Sequence, residues 1–295
     1  MIKIFNWILL SNKNKFRSLV THFFKAIFNF IYFKDPKIIN NVLFNNLISK
    51  FKYSENKNES FIVFSKDGGI SRQLYVNGEY NLVTFKKTIN IVGRLDLVLD
   101  VGANIGSTCI PSIKRNYTQK AIAIEADEVN FNLLKVNILL NGLEKKISAY
   151  NYLVSDKKKK FKLIKNKNNY GANYFIESKS SNKFENQKRI ILNNFVNQMK
   201  NLKCLVWIDT QGHEPYVIQG ATKLIKLKIP FVIEFTPRFF KRLKNETEVI
   251  KSIKKFKFFY DLYDKRKKTR VSEDSIQNLF IKYKNSNTEI LLTNF

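Results

Sequence analysis

Asp100-Val101-Gly102-Ala103-Asn104-Ile105-Gly106 is the run on which the fold class of this chain turns. The apolar stretch Leu95 to Leu99 leads into it, and a helix-compatible stretch begins near Ser107. That order reads as a strand, a tight turn and a helix N-terminus. Glycines at such a turn let the backbone come close to a ligand, and Asp100 at the strand's end can accept hydrogen bonds from an amino group or from hydroxyls. The run is not the dinucleotide fingerprint, because Asn104 stands where the second glycine belongs. It is not a P-loop either, since no Gly-Lys-Ser/Thr follows. Without a ligand, the same residues would serve as a plain strand-to-helix turn.

From Leu95 onward strands alternate with helices, the mark of a parallel sheet covered on both faces. Strands are expected at Leu95–Val101, Ala121–Glu125, Ile147–Val154, Cys204–Asp209 and Phe231–Phe235. A helix from Glu128 to Asn141 ends at Gly142, a common helix stop. Phe256–Tyr263 and Glu289–Thr293 supply a terminal pair, one of them reversed. Between Ser155 and Lys200 the alternation breaks: strands are expected near Lys160–Ile164 and Arg189–Leu192, then a helix over Asn193–Lys200. Upstream, Phe61–Phe64 reads as a strand, Asp67-Gly68-Gly69 as a turn, Gln73–Val76 as a short strand and Leu82–Val92 as a helix.

Residues 1–60 differ from the rest and read as a basic, aromatic helical arm; 61–94 lead into the core, and 95–295 form the main domain. The apolar stretch Leu19–Phe33 is interrupted by His22 and Lys25 and falls short of the ~20 residues a membrane span needs. No small-residue cleavage site follows the apolar N-terminus, which argues against a signal peptide. The arm is expected to pack on the main domain, with peripheral contact to an anionic membrane surface as the alternative. The two cysteines, Cys109 and Cys204, lie in apolar segments and read as reduced core residues of a cytoplasmic protein. With two histidines in all, a His-rich metal site is excluded, and no metal is expected. The 52 Lys and Arg against 24 Asp and Glu give a net charge of +28. Such a charge raises the case for nucleic acid. The chain is also rich in Asn, Ile and Phe, however, the composition an AT-rich genome encodes, and its lysine clusters lack the aromatic interleaving of a single-strand groove.

Ligands of an open parallel sheet bind outside the carboxyl ends of the strands. Acidic residues fall at that edge of every core strand: Asp100, Glu125 with Ala126 and Asp127, Asp156, Asp209 with Gln211, His213 and Glu214, and Glu234. Glu125 lies where a ribose-binding carboxylate sits in nucleotide-binding α/β folds; otherwise it is a solvated strand end. Asp127 is placed to cap the next helix. Asp156 reads either as a contact to an adenine amino group or as a turn residue. His213 could accept a proton at neutral pH or be structural, and Asp209 could orient it, bind a substrate hydroxyl or serve as base itself, with Gln211 and Glu214 crowded at the same strand end. Glu214 could equally cap a helix starting near Pro215.

Several of these motifs, in this order, resemble the FkbM-type methyltransferases. They are Asp100 to Gly106, Glu125-Ala126-Asp127 with Asn130, Asn137 with Asn141-Gly142, Trp207 to Glu214 with Gly220-Ala221, and Val232-Ile233-Glu234-Phe235. The resemblance covers about residues 75–295. It implies a Rossmann-like class I methyltransferase fold, a seven-stranded, mostly parallel sheet with helices on both faces. It also implies S-adenosylmethionine (SAM) as cofactor and O-methylation of a hydroxyl, often on a sugar or polyketide-like metabolite. The turn is then the first SAM motif in its D-x-G-x-N-x-G form. Cofactor contacts are expected from Asp100, Gly102, Ala103, Asn104, Gly106, Ser107, Glu125, Ala126, Asp127 and Asp156. Asp209, Gln211, His213 and Glu214 are expected at the acceptor, a small molecule or glycan. The chain departs from the usual Lys-Ile-Asp-Val-Glu-Gly-Ala-Glu wording at Trp207, Gln211 and His213; losing a carboxylate at 211 weakens any metal-assisted scheme. An RNA methyltransferase is a competing reading, but Asp209-Thr210-Gln211-Gly212 replaces the Asn/Asp-Pro-Pro-Tyr/Phe element of base N-methylation. A non-catalytic protein keeping the fold is another.

Overall fold

Leu95–Val101 does form an inner strand, and the sheet grows on both sides of it. The computed structural model describes residues 51–55, 58–156, 161–177, 188–264 and 267–295. The expected arm falls outside these residues up to position 50. Residues 51–55 form a first strand (β1, Phe51–Glu55) paired antiparallel with β2 (Ser60–Phe64). Two helices follow, α1 (Ile70–Asn77) and α2 (Leu82–Val92), then β3 (Leu95–Val101). The next elements are α3 (Cys109–Lys114), β4 (Thr118–Ile124), α4 (Glu128–Leu140) and β5 (Ile147–Tyr150). An irregular insertion carries β6 (Leu153–Val154), β7 (Phe161–Ile164), β8 (Tyr174–Glu177), β9 (Arg189–Ile190) and α5 (Val196–Met199). The second half holds β10 (Cys204–Ile208), α6 (Glu214–Gln219), α7 (Thr222–Lys226), β11 (Phe231–Phe235), α8 (Pro237–Leu243) and α9 (Glu246–Ile253). It ends with β12 (Phe258–Asp261), β13 (Lys268–Arg270), α10 (Glu273–Lys282) and β14 (Thr288–Thr293).

The main sheet has eight strands in the order β13-β12-β14-β11-β10-β3-β4-β5, one more than expected. The addition is the short edge strand β13, too polar to be read as a strand, which pairs antiparallel with β12. β14 is the reversed member of the terminal pair, antiparallel to both β11 and β12. β5, β4, β3, β10 and β11 run parallel. The order reverses between β3 and β10, the switch point where open sheets bind ligands.

Apolar side chains bury both faces of this sheet. On one, Leu99, Val206, Ile233 and Leu292 meet Val217, Leu224 and Ile253 of the helices that follow β10 and β11. On the other, Val98, Trp207, Val232 and Leu291 meet Phe85 of α2, and Ala121 and Ala123 meet Leu134 and Ile138 of α4.

Two expectations are corrected. Gln73–Val76 lies inside helix α1, not in a strand. Asp67 draws the helix start together by accepting from the Gly69 and Ser71 N–H groups, and Leu74 is fully buried on its inner face. The expected strand Ile147–Val154 breaks after Tyr150. Asn151 turns to donate to the Glu125 and Ala126 carbonyls, and Leu153–Val154 leaves the main sheet to pair with Arg189–Ile190.

β2 is held by side chains that imitate a strand. On α4, Asn137 accepts from Ile62 N–H (2.7 Å) and donates to Ile62 C=O (3.1 Å). One turn on, Asn141 does the same to Ser60, at 3.1 and 2.7 Å. Four helical residues rise about 6 Å and two strand residues about 6.6 Å, so the two amides meet alternate peptides of β2.

Candidate active site at the carboxyl edge of the sheet

The tips of β3 and β10 are brought together by Gly102. Its φ of +84° is a left-handed conformation, and a Cβ there would lie 1.9 Å from the Asp209 carbonyl oxygen. Asp209 N–H in turn donates to Val101 C=O (3.0 Å). The turn continues through Asn104, also left-handed at φ +51°, which asparagine tolerates better than most residues.

Beside this turn opens a cavity of about 60 Å³. Its walls come from the turn (Val101, Gly102, Asn104), from β4 and beyond (Ile124, Glu125, Ala126, Asn130), and from the segment after β5 (Tyr152, Leu153, Val154). Asp209, Thr210, Gln211 and His213 close the side after β10, while Ile70, Tyr170, Gly171, Asn173 and Phe175 roof it.

Glu125 anchors the β4 side. Its carboxylate accepts from Asn104 N–H through one oxygen and from Asp127 N–H through the other, each at 2.8 Å. Burial pushes its pKa up to about 7 against those two hydrogen bonds. Asp127 caps α4, accepting from Val129 N–H, and also holds the Asn173 amide (2.9 Å).

On the β10 side Asp209 and Gln211 reach the cavity, and Gln211 Nε2 donates to Asp209 Oδ1 at 2.6 Å. His213 lines the wall but is only 2% exposed, with its ring edge-on to Phe161 (5.0 Å) and beside Tyr216 (4.8 Å).

The remaining expected residues stand behind the walls. Asp100 is buried and accepts from Cys109 N–H, and burial pushes its carboxyl up to about 7. Ala103, Gly106 and Ser107 are packed out of the cavity; a Cβ on Gly106 would strike Ile110 and Leu134. Glu214 does not reach the cavity: its carboxylate turns back to accept from Thr210 N–H and Oγ1, closing the 210–214 turn. Asp156 lies outside the cavity lining: it is exposed, its N–H donates to Tyr216 C=O, and its charge faces Lys255.

The roof falls within the loop from Ile164 to Lys188, which the sequence marks as shaping the acceptor pocket but leaves too irregular to read residue by residue. Tyr170 N–H donates to Asp67, Gly68 N–H to Asn168 C=O, and Asn130 donates to Tyr170 C=O, so the β7–β8 hairpin is tied both to the Asp67 turn and to α4. Its sequence signal is the run around Tyr170 to Tyr174, in the segment that breaks the strand–helix alternation. Among the described residues no cluster of metal-ligating side chains occurs, and no helix is long and apolar enough to cross a membrane.

Among solved structures, the chain is similar to TYW2 of Pyrococcus horikoshii in complex with MeSAdo (15% identity, 82% of this chain and 70% of that one, TM-score 0.38). It is also similar to methyltransferase FkbM from Methylobacillus flagellatus KT (12%, 68% and 43%, TM-score 0.35). A third is geranyl diphosphate C-methyltransferase from Streptomyces coelicolor A3(2), solved with Mg²⁺, geranyl-S-thiolodiphosphate and S-adenosyl-L-homocysteine (8%, 76% and 78%, TM-score 0.41). No match was found among curated proteins. Residues 100–260, more than half of the 295, match the family described as the methyltransferase FkbM domain, and they span the turn, Glu125, Asp209 and the sheet between them. The chain therefore belongs to the FkbM methyltransferase family.

Proposed function

We propose that this protein is a SAM-dependent O-methyltransferase acting on a hydroxyl of a sugar, glycan or related metabolite. The supporting observation is that one cavity joins the Gly102 turn and the Glu125 carboxylate to Asp209. The donor set suits SAM: Glu125 can accept from ribose hydroxyls, Asn104 and Asn130 offer amides, and Ile124, Leu153, Val154 and Tyr170 give apolar cover. Gly102, where a side chain would close the gap to Asp209, belongs to the same cradle.

SAM, when bound, supplies an electrophilic methyl on a sulfonium whose bond pair stays with sulfur. The protein must then position an oxygen and receive its proton. Asp209 is the favoured base, because it lines the cavity with less burial than His213, whose ring packs against Phe161 and Tyr216.

Calorimetry with SAM and S-adenosylhomocysteine tests the cofactor, followed by a screen of sugar nucleotides and glycans for the mass of one added methylene. With an acceptor in hand, Asp209→Asn is expected to lower kcat by about 10²–10⁴-fold with SAM binding retained. His213→Asn is expected to cost stability more than turnover. Undiminished turnover in Asp209→Asn removes Asp209 from the role.

A further inference from the structure

The β10 tip is paired with a second carboxyl that the family match does not assign a role. Val232 is the register partner of Trp207, so Asp209 and Glu234, each two residues on, end up side by side on the same face. Gln211 bridges them: its amide nitrogen lies 2.6 Å from Asp209 Oδ1 and 2.8 Å from Glu234 Oε2. The bridge is built into the backbone. Gln211 at φ +56° and Gly212 at φ +104° fold the chain back over the strand tips, and Arg242 Nη2 holds the Gln211 carbonyl at 3.2 Å.

The surroundings are acidic. Glu289 of β14 is the register partner of Glu234, and Asn81 at the start of α2 donates to one of its oxygens (2.7 Å). Glu214 of α6, Tyr80 ahead of α2 and Tyr263 after β12 also face the pair. Arg242 of α8 is a nearby cation, and it stacks on the Tyr174 ring at 3.7 Å. Two carboxylates this close in a desolvated setting do not both ionise.

We infer that Glu234 is the positioning residue for the Asp209 base: the two carboxyl groups share one proton beside the Gln211 amide, Glu234 carries it at rest, and Asp209 stands ionised toward the acceptor. One observation places the proton on Glu234: Gln211 makes the shorter of its two hydrogen bonds to Asp209, 2.6 against 2.8 Å, which favours the ionised form there. Burial pushes both groups up, Glu234 well above the usual carboxylate range. In turnover the acceptor O–H proton passes to Asp209 while its bond pair goes to the new oxygen–carbon bond. Both carboxyls are then protonated, and one proton is lost to water before the next cycle. This inference rests on the methyl-transfer reading for its use, but not for its test.

The test is carboxyl ¹³C NMR titration of the ligand-free full chain carrying ¹³C-labelled Asp and Glu, with Glu234→Gln and Asp209→Asn to assign the signals. Glu234 is expected to remain protonated at pH 7, with the pair titrating in two steps more than one pH unit apart. Asp209→Asn is expected to bring the Glu234 step down by at least one unit. Gln211→Glu is expected to raise the upper step further. Glu234 titrating in the ordinary carboxylate range in the wild-type chain would overturn the inference, and so would a Glu234 step unmoved in a folded Asp209→Asn. The wild-type titration decides alone if the variant does not fold. Loss of SAM binding, by contrast, would sink the methyl-transfer reading and leave this titration standing.

Discussion

Gly102 couples backbone conformation to the site more directly than any charged residue does. Its left-handed φ, and an Asp209 carbonyl oxygen only 1.9 Å from where a Cβ would stand, leave no room for a side chain. Gly102→Ala is therefore expected to force β3 and β10 apart, at about 1–3 kcal/mol for the backbone strain alone. Calorimetry should show SAM binding weakened by roughly tenfold or more, since 1.4 kcal/mol is a factor of ten; an unchanged Kd would separate the turn from the cofactor. Glu125 illustrates a different constraint. Both of its oxygens already hold backbone N–H groups, so it fixes the Asn104 turn while it faces the cavity. The motif run makes Gly102 and Glu125 legible in the sequence. The partnership of Glu125 with Asn104, 21 residues apart, has no local signature, because it depends on β3 and β4 lying side by side.

At the level of elements, helix α4 serves as a surrogate strand. Asn137 is fully buried and satisfies Ile62 N–H, Ile62 C=O and Ile105 C=O. Asn137→Leu keeps the volume but strands those three groups, and each buried unsatisfied group costs about 1–3 kcal/mol. Urea denaturation should show a loss of about 3 kcal/mol. Asn141→Ala, at a half-buried position, is expected to cost under about 1 kcal/mol. Equal losses for the two would mean that the amides do not act as peptide mimics. Both asparagines stand out as motif residues, yet nothing in the helical pattern indicates that they pair with a strand some 75 to 81 residues upstream. The Gln73–Val76 segment misleads for a related reason. Its residues suit a short strand, and the Asp67 carboxylate, tied to Gly69, Ser71 and Tyr170, commits it to a helix together with the burial of Leu74.

Across the whole molecule, the sheet edge gathers carboxyls that burial holds neutral well above their usual range. Asp100, Glu125, Glu214 and Glu289 are all pushed up to about 7. In the unfolded chain such groups ionise near about 4. The folded state thus binds more protons between about pH 4.5 and 7, and stability must fall as pH rises through that window. Asp261 has the opposite sign: hydrogen bonds from Lys282, Tyr283 and Thr288 outweigh burial and lower its pKa, so its contribution is lost only as pH drops below about 4. Ligand-free protein is expected to melt roughly 5 °C higher at pH 5 than at pH 8, corresponding to about 2 kcal/mol. A flat Tm across that range would show that these carboxyls are ionised in the fold.

Most core strands and helices and their order follow from the chain alone, because apolar periodicity and turn chemistry are properties of neighbouring residues. The order in turn places the ligand edge at the carboxyl ends of β3, β4 and β10. Which side chains meet there was settled by folding. Glu125 with Asn104, Gln211 with Glu234, and Asn81 with Glu289 across 208 residues are joined by strand register and sheet order. A hydrogen bond reaches only about 3 Å, so its partner is chosen by the tertiary path that brings two distant segments together.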